Sequence, residues 1–152
     1  MKSKKSPHAC HEVEIHYKRP LFDEMPKVKS QEDSSRILKS FCNPKQLDHK
    51  EYFWVMLLTN ANCLLGISNT SCGTIKSTII SIVEILQLAI NTNASAIIVA
   101  HNHPSGKLIP SQKDIQLTNK IKEACELFDI KLLDHLIITS ESYLSFADEG
   151  LV

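Results

Sequence analysis

Two histidines separated by a single residue, His101 and His103, stand where the apolar run 94–100 ends, and Asp114 follows after ten intervening residues. Side chains at i and i+2 of an extended segment point to one face. Both imidazoles can therefore reach a single cation. If the intervening loop folds back, the Asp114 carboxylate supplies a third ligand. Two imidazoles and a carboxylate leave one tetrahedral position open, as hydrolytic zinc sites do and closed structural sites do not. Water held there is acidified toward neutrality and becomes a usable nucleophile. Zinc, one ion per chain, is the cation such a donor set favours, with manganese and iron as alternatives.

The same residues admit a plainer reading. Histidines in loops are often just polar loop residues. Ser111, three residues before Asp114, also forms the serine-x-x-acid signature that caps a helix. The two readings are compatible, since one aspartate can cap a helix and face a cation.

The elements that must position these groups follow from hydrophobic patterning. Residues 94–100 form a continuous apolar run bounded by turn chemistry, which reads as a buried strand. Residues 12–17 alternate polar and apolar and predict a half-buried strand. Residues 30–42 predict a short helix with Ser30 or Ser34 as cap and with Ile37, Leu38 and Phe41 at helical spacing; Asn43-Pro44 ends it. Residues 52–58 are aromatic and aliphatic and predict a strand, with 63–67 returning as its hairpin partner. Residues 78–90 predict a mostly buried helix, with Ile79, Val83, Leu86 and Ile90 on one face and Ile82, Ile85 and Ala89 beside it. Residues 111–128 predict an amphipathic helix with the stripe Leu117, Ile121, Ala124 and Phe128. Strands are expected at 131–139 and 143–146.

The order strand–strand–helix–strand–helix–strand–strand suits an α/β fold with helices packed on one sheet. A chain of 152 residues, 43% apolar and 22% charged, is large enough for one well-formed core. Its net charge is zero, so no global field draws it to nucleic acid or membrane. The five cysteines include no C-x-x-C pair, and an odd count argues against a secreted disulfide framework. Cys63 and Cys125 are expected core thiols. The lysine-bearing start, 1–11, is expected to be disordered. It has no apolar stretch after it, so no signal peptide is read, and the run 75–90 is too short and too polar to span a membrane. A cytoplasmic protein is the expectation. His8, His11 and His16 lack zinc-finger spacing and are not assigned a metal.

The words around the histidines are more specific than their spacing. His101-x-His103, ten residues, then Asp114, with Ser111 three before it, resembles the JAMM (MPN-plus) metalloprotease signature. His101-Asn102-His103-Pro104-Ser105-Gly106, Leu133-Asp134-His135-Leu136-Ile137-Ile138 and Ser145-Phe146-Ala147-Asp148-Glu149-Gly150 look like the RadC family of bacterial JAB-type domains. The resemblance covers roughly residues 45–152 and implies a JAB/MPN, cytidine-deaminase-like mixed sheet flanked by helices. It leaves 1–44 as an N-terminal leader of strand and short helix. Longer RadC members carry a helix-hairpin-helix region that 1–44 does not resemble. The chain also departs from the family at Val83, where an arginine is usual.

The resemblance also implies site roles. JAMM enzymes use a glutamate just before the first core strand, and Glu51, followed by Phe53-x-Val55-x-Leu57, holds that place. It would act as general base and then acid. Ser111 would donate a hydrogen bond to a developing oxyanion. His135 reads as a structural strand residue or a partner of the ligands, outside the metal set.

The reading that follows is a zinc-dependent hydrolase of peptide or isopeptide bonds, with His101, His103 and Asp114 as ligands. The runner-up is a RadC-type accessory protein of DNA repair or mobile-element maintenance without proteolytic activity. The neutral charge balance counts against that, since DNA binding calls for a basic stripe; weak or absent DNA binding is expected. A magnesium-dependent nuclease ranks last, because such sites prefer oxygen ligands to imidazoles.

Overall fold

The protein's computed structural model describes residues 10–73 and 79–152. Most of the expected disordered start, His8 of the histidine group, and residue 78 of the expected 78–90 helix lie outside the described residues.

The sheet grows from one hydrophobic hairpin. Strand β1 (Glu51–Leu58) pairs antiparallel with β2 (Leu64–Gly73) on one side and with β3 (Ala96–Asn102) on the other. Strand β3 then pairs parallel with β4 (Lys131–Ile138), which pairs antiparallel with β5 (Tyr143–Ser145). The resulting order is β2-β1-β3-β4-β5, a mixed five-stranded sheet. Parallel neighbours require a crossover, and helix α3 (Gln112–Glu126) provides it between β3 and β4. Helices α1 (Gln31–Phe41) and α2 (Ile82–Asn91) complete the mixed α/β architecture. None of the described helices is long and apolar enough to cross a membrane.

Alternation along the central strands sorts the core into two layers. Phe53, Val55, Leu57, Ile97 and Val99 face one side, where Ile85 and Ala89 of α2 and Ile121 and Cys125 of α3 cover them. Trp54, Met56, Leu58, Ile98 and Ala100 face the other, covered by Ile37 and Leu38 of α1. Every residue of β3 is buried, as expected of a central strand covered on both faces. Burying an aromatic or aliphatic side chain contributes roughly 1.5–3 kcal/mol, so this strand is a rigid support for whatever stands at its end.

Several expectations are corrected. Residues 12–17 form no strand; Val13 is 90% and Ile15 69% exposed. Alternation alone cannot make a strand that has neither a ladder partner nor a surface to cover. The segment is tied down instead by the Tyr17 hydroxyl, which donates to the Leu65 carbonyl at 2.8 Å. Strand β2 runs six residues past the expected end at 67, because its polar half still pairs with β1, down to Glu51 opposite Gly73. Helix α2 begins only after Ser81, whose side chain accepts the Glu84 amide at 3.2 Å. Its buried residues are Ile85 and Ala89, while Val83 and Ile90 of the expected stripe are 64% and 43% exposed. With nearly every position apolar, hydrophobicity could not select the face. Helix α3 likewise turns Thr118, Ile121 and Cys125 inward, and Phe128 lies beyond its end, exposed.

Candidate metal centre

The layer covered by α2 and α3 ends in a cluster of polar side chains. His101 continues the series Ile97, Val99 along β3, and His103 follows just past the strand end. Phe53 and Glu51 continue the same series along β1 in the opposite direction, since Phe53 pairs with His101. His101 is 3% exposed and lies against the Phe53 ring, with centroids 6.4 Å apart. The far wall is the first turn of α3. Ser111 is its N-cap and forms a full capping box: its hydroxyl accepts the Asp114 amide at 3.1 Å, and its own amide donates to Asp114 Oδ2 at 2.7 Å. The cap thus orients the carboxylate as well as starting the helix.

Three expected ligands meet here. His101 Nε2 and His103 Nε2 are 2.9 Å apart. Asp114 Oδ1 lies 3.4 Å from the first, and Oδ2 lies 3.7 Å from the second. One ligand atom from each residue falls within 4.8 Å of the others, so the group can hold a metal ion. It is the only such group of three or more His, Cys, Asp and Glu side chains among the described residues.

The donor chemistry fits a cation. His103 Nδ1 lies 2.7 Å from the Lys107 carbonyl, which can only accept. That nitrogen therefore carries the proton and leaves Nε2 with a free lone pair in the neutral ring. A lone pair directed at a second imidazole nitrogen and flanked by a carboxylate needs a proton or a metal ion among them.

Electrostatics agree. Burial pushes the His101 imidazole down to about 4, opposed by Asp114, so it is neutral and ready to ligate at pH 7. Asp114 raises His103 above its ordinary value against the effect of burial. Burial alone would raise the Asp114 carboxyl, but His103, His101 and the Ser111 cap together hold it well below the usual carboxylate range. Glu51 is half-buried, and burial raises its carboxyl; His103 lowers it and Asp114 raises it further. The structure thus brings Glu51, His101, His103, Ser111 and Asp114 to one end of one sheet face.

The two buried thiols, Cys42 and Cys125, take no part. Burial pushes Cys42 up to about 12 and Cys125 up to about 11, so neither is a thiolate at neutral pH.

Three further residues shape the centre. His135 of β4 is wholly buried, its Nε2 2.7 Å from His101 Nδ1 and its Nδ1 2.6 Å from Thr118 Oγ1. Asn102 points to the opposite sheet face, accepting the Tyr52 amide at 2.7 Å and donating to the Leu47 and Lys50 carbonyls at 2.8 and 2.6 Å. Thr118 is invisible to a hydrophobicity pattern, because it is a buried polar residue of an amphipathic helix. Asn102 and His135 offered a signal that goes unused in a spacing argument: each is a polar residue inside an otherwise apolar strand, and buried polar groups need partners. Asp134, beside His135, accepts from Ser145 Oγ at 2.6 Å, the Ala147 amide at 2.9 Å and the His135 amide at 2.7 Å. It pins the 145–148 segment to β4.

The chain is similar to known proteins over most of its length. A family model described as a RadC-like JAB domain matches residues 28–151. A UPF0758 protein of Flavobacterium johnsoniae is 42% identical over 127 residues, 84% of this chain and 54% of that protein. One of Porphyromonas gingivalis is 41% identical over 131 residues, 85% of this chain and 57% of its own. One of Haemophilus ducreyi is 39% identical over 132 residues, 87% and 59% respectively. The chain spans little more than half the length of these relatives, and their shared name states no activity. The matched region takes in α1, the whole sheet and the His-His-Asp cluster at its end, and on that ground this chain belongs to the RadC-like JAB domain family.

Proposed function

We propose that the protein is a zinc-dependent metallohydrolase of the JAMM type that cleaves peptide or isopeptide bonds. His101, His103 and Asp114 would hold one zinc ion. The observation that carries this reading is the convergence of three ligand atoms within 4.8 Å at the end of the sheet face that also presents Glu51. When bound, zinc supplies Lewis acidity and a water acidic enough to attack an amide near neutral pH.

The remaining chemistry belongs to the chain. Glu51 accepts the proton of the attacking water and returns it to the departing nitrogen. In the metal-free chain burial raises its carboxyl, toward the operating pH at which a general base works best. The Ser111 oxygen already accepts the Asp114 amide, so its hydroxyl hydrogen is available to the developing oxyanion. His101, buried against Phe53, stays neutral and fixed. Substrates are peptides or proteins in the cytoplasm, and DNA binding is weak or absent.

The test is a peptide library incubated with zinc-loaded protein and read by mass spectrometry for new termini. Cleavage that disappears in both Glu51→Gln and Asp114→Ala supports the reading. Cleavage that persists unchanged in both variants contradicts it.

A further inference from the structure

One group of buried polar atoms reaches the metal centre without belonging to it. Thr118 Oγ1 lies 2.7 Å from the Asp114 carbonyl and 2.6 Å from His135 Nδ1. His135 Nε2 lies 2.7 Å from His101 Nδ1. Each hydroxyl has one hydrogen and each neutral imidazole has one, so proton directions along this chain are not independent.

The carbonyl settles them. It can only accept, so the Thr118 hydroxyl donates its single hydrogen to Asp114 O. Thr118 Oγ1 must then accept from His135, which places the His135 hydrogen on Nδ1. His135 Nε2 is left as an acceptor and takes a hydrogen from His101 Nδ1. A neutral His101 then has no hydrogen on Nε2, the atom 2.9 Å from His103 Nε2 and 3.4 Å from Asp114 Oδ1. The reverse order would place two oxygen lone pairs opposite each other at 2.7 Å and would block His101 Nε2 with a hydrogen.

We propose that Thr118 and His135 form a proton-ordering relay that fixes His101 as its Nδ1–H tautomer, leaving its Nε2 lone pair free for a divalent cation. Both are positioning residues; neither touches the ion. Asp114 anchors both ends of the circuit, its carbonyl receiving the relay and its carboxylate facing the metal. The surroundings hold the relay in register. The Phe146 ring stacks on His135 with centroids 4.5 Å apart, and Phe53 meets it edge-on at 5.9 Å. His135 is completely buried, so water cannot substitute for either partner.

The cation in this inference rests on the proposed metal function, but the tautomer does not, and the experiment separates them. Long-range nitrogen–proton NMR of ring-15N-histidine protein, metal-free at neutral pH, reads each tautomer directly. The relay requires Nδ1–H forms for both His101 and His135. Zinc binding is then measured by competition with a chromophoric chelator for the wild type, Thr118→Val and Thr118→Ser. Valine keeps the shape of threonine and removes the hydrogen bonds; serine keeps them. Thr118→Val should bind zinc about 10–100-fold more weakly, the usual cost of losing an outer partner of a metal ligand, with His101 shifting to Nε2–H. Thr118→Ser should restore both readouts. A wild type with the expected tautomers that takes up no zinc would support the relay and overturn the metal function. An Nε2–H His101 in the metal-free wild type would overturn the relay, as would a folded Thr118→Val protein that binds zinc like the wild type.

Discussion

Asn102 accepts the Tyr52 amide hydrogen at 2.7 Å, and through this bond the residue between the two histidines fixes the start of the strand that bears Glu51. Its other two bonds, to the Leu47 and Lys50 carbonyls, fasten the preceding turn. Truncation to Asn102→Ala would remove all three of these bonds, the one to Leu47 buried and the other two partly buried. We expect a loss of roughly 2–4 kcal/mol, measured by urea unfolding, with zinc uptake retained because the side chain lies on the sheet face away from the ligands. A cost below about 0.5 kcal/mol, the range of ordinary surface substitutions, would show that the turn is held by other contacts.

Acid should destabilise the metal-free protein. Burial lowers His101 to about 4 and lowers His135 in the same direction. Between the ordinary histidine value and those lowered values the unfolded chain binds protons that the folded chain does not, so stability rises with pH through that window and falls on acidification. Asp114, held low by its neighbours, adds a loss at still lower pH. His103 has the opposite sign: raised by Asp114, it contributes stability at low pH and loses it as pH rises through its folded value. Asp134 and Glu51, both raised by burial, likewise favour the acid side. The buried, uncharged His101 accounts for roughly 3 kcal/mol between pH 6.5 and 4. Thermal melts across that range should show the midpoint falling with pH, and His101→Gln should flatten the slope. An unchanged slope in the variant would contradict the assignment.

The sheet was largely legible from residue order. The aromatic and aliphatic run of β1, the continuous apolar run of β3 and the cap at Ser111 each carry a local physical signal, and each lies where it was expected. That His101 and His103 lie together was legible for the same reason, because i and i+2 on an extended segment share a face. What pattern could not supply was long-range polar satisfaction. Thr118 is buried because His135 and the Asp114 carbonyl receive it, and those partners lie 17 and 4 residues away. The face of α2 was misread because its apolar residues nearly encircle it, and 12–17 because alternation says nothing about whether a neighbouring strand exists.

Glu51 should be separable from the ligands. Glu51→Gln keeps size and hydrogen bonding but cannot take a proton. It should retain zinc and its melting temperature, while turnover of any cleaved peptide falls by about 10²–10⁴-fold. Loss of zinc from this variant would make Glu51 a ligand instead.

Nucleic acid should bind poorly. The chain carries 17 basic and 17 acidic residues, so any DNA association should be weak and lost at moderate salt. A gel-shift complex with duplex or branched DNA that survives salt would favour the accessory-protein reading over the hydrolase.

The most direct test of the whole account is metal content. Purified wild-type protein, equilibrated with zinc and freed of excess, should carry one equivalent per chain by elemental analysis. His103→Ala and Asp114→Ala should each lose most of it. Uptake by the wild type should fall as pH drops and protons compete for the imidazoles. Stoichiometric zinc retained by a His101→Ala/His103→Ala double variant would contradict the site, and with it the hydrolytic mechanism.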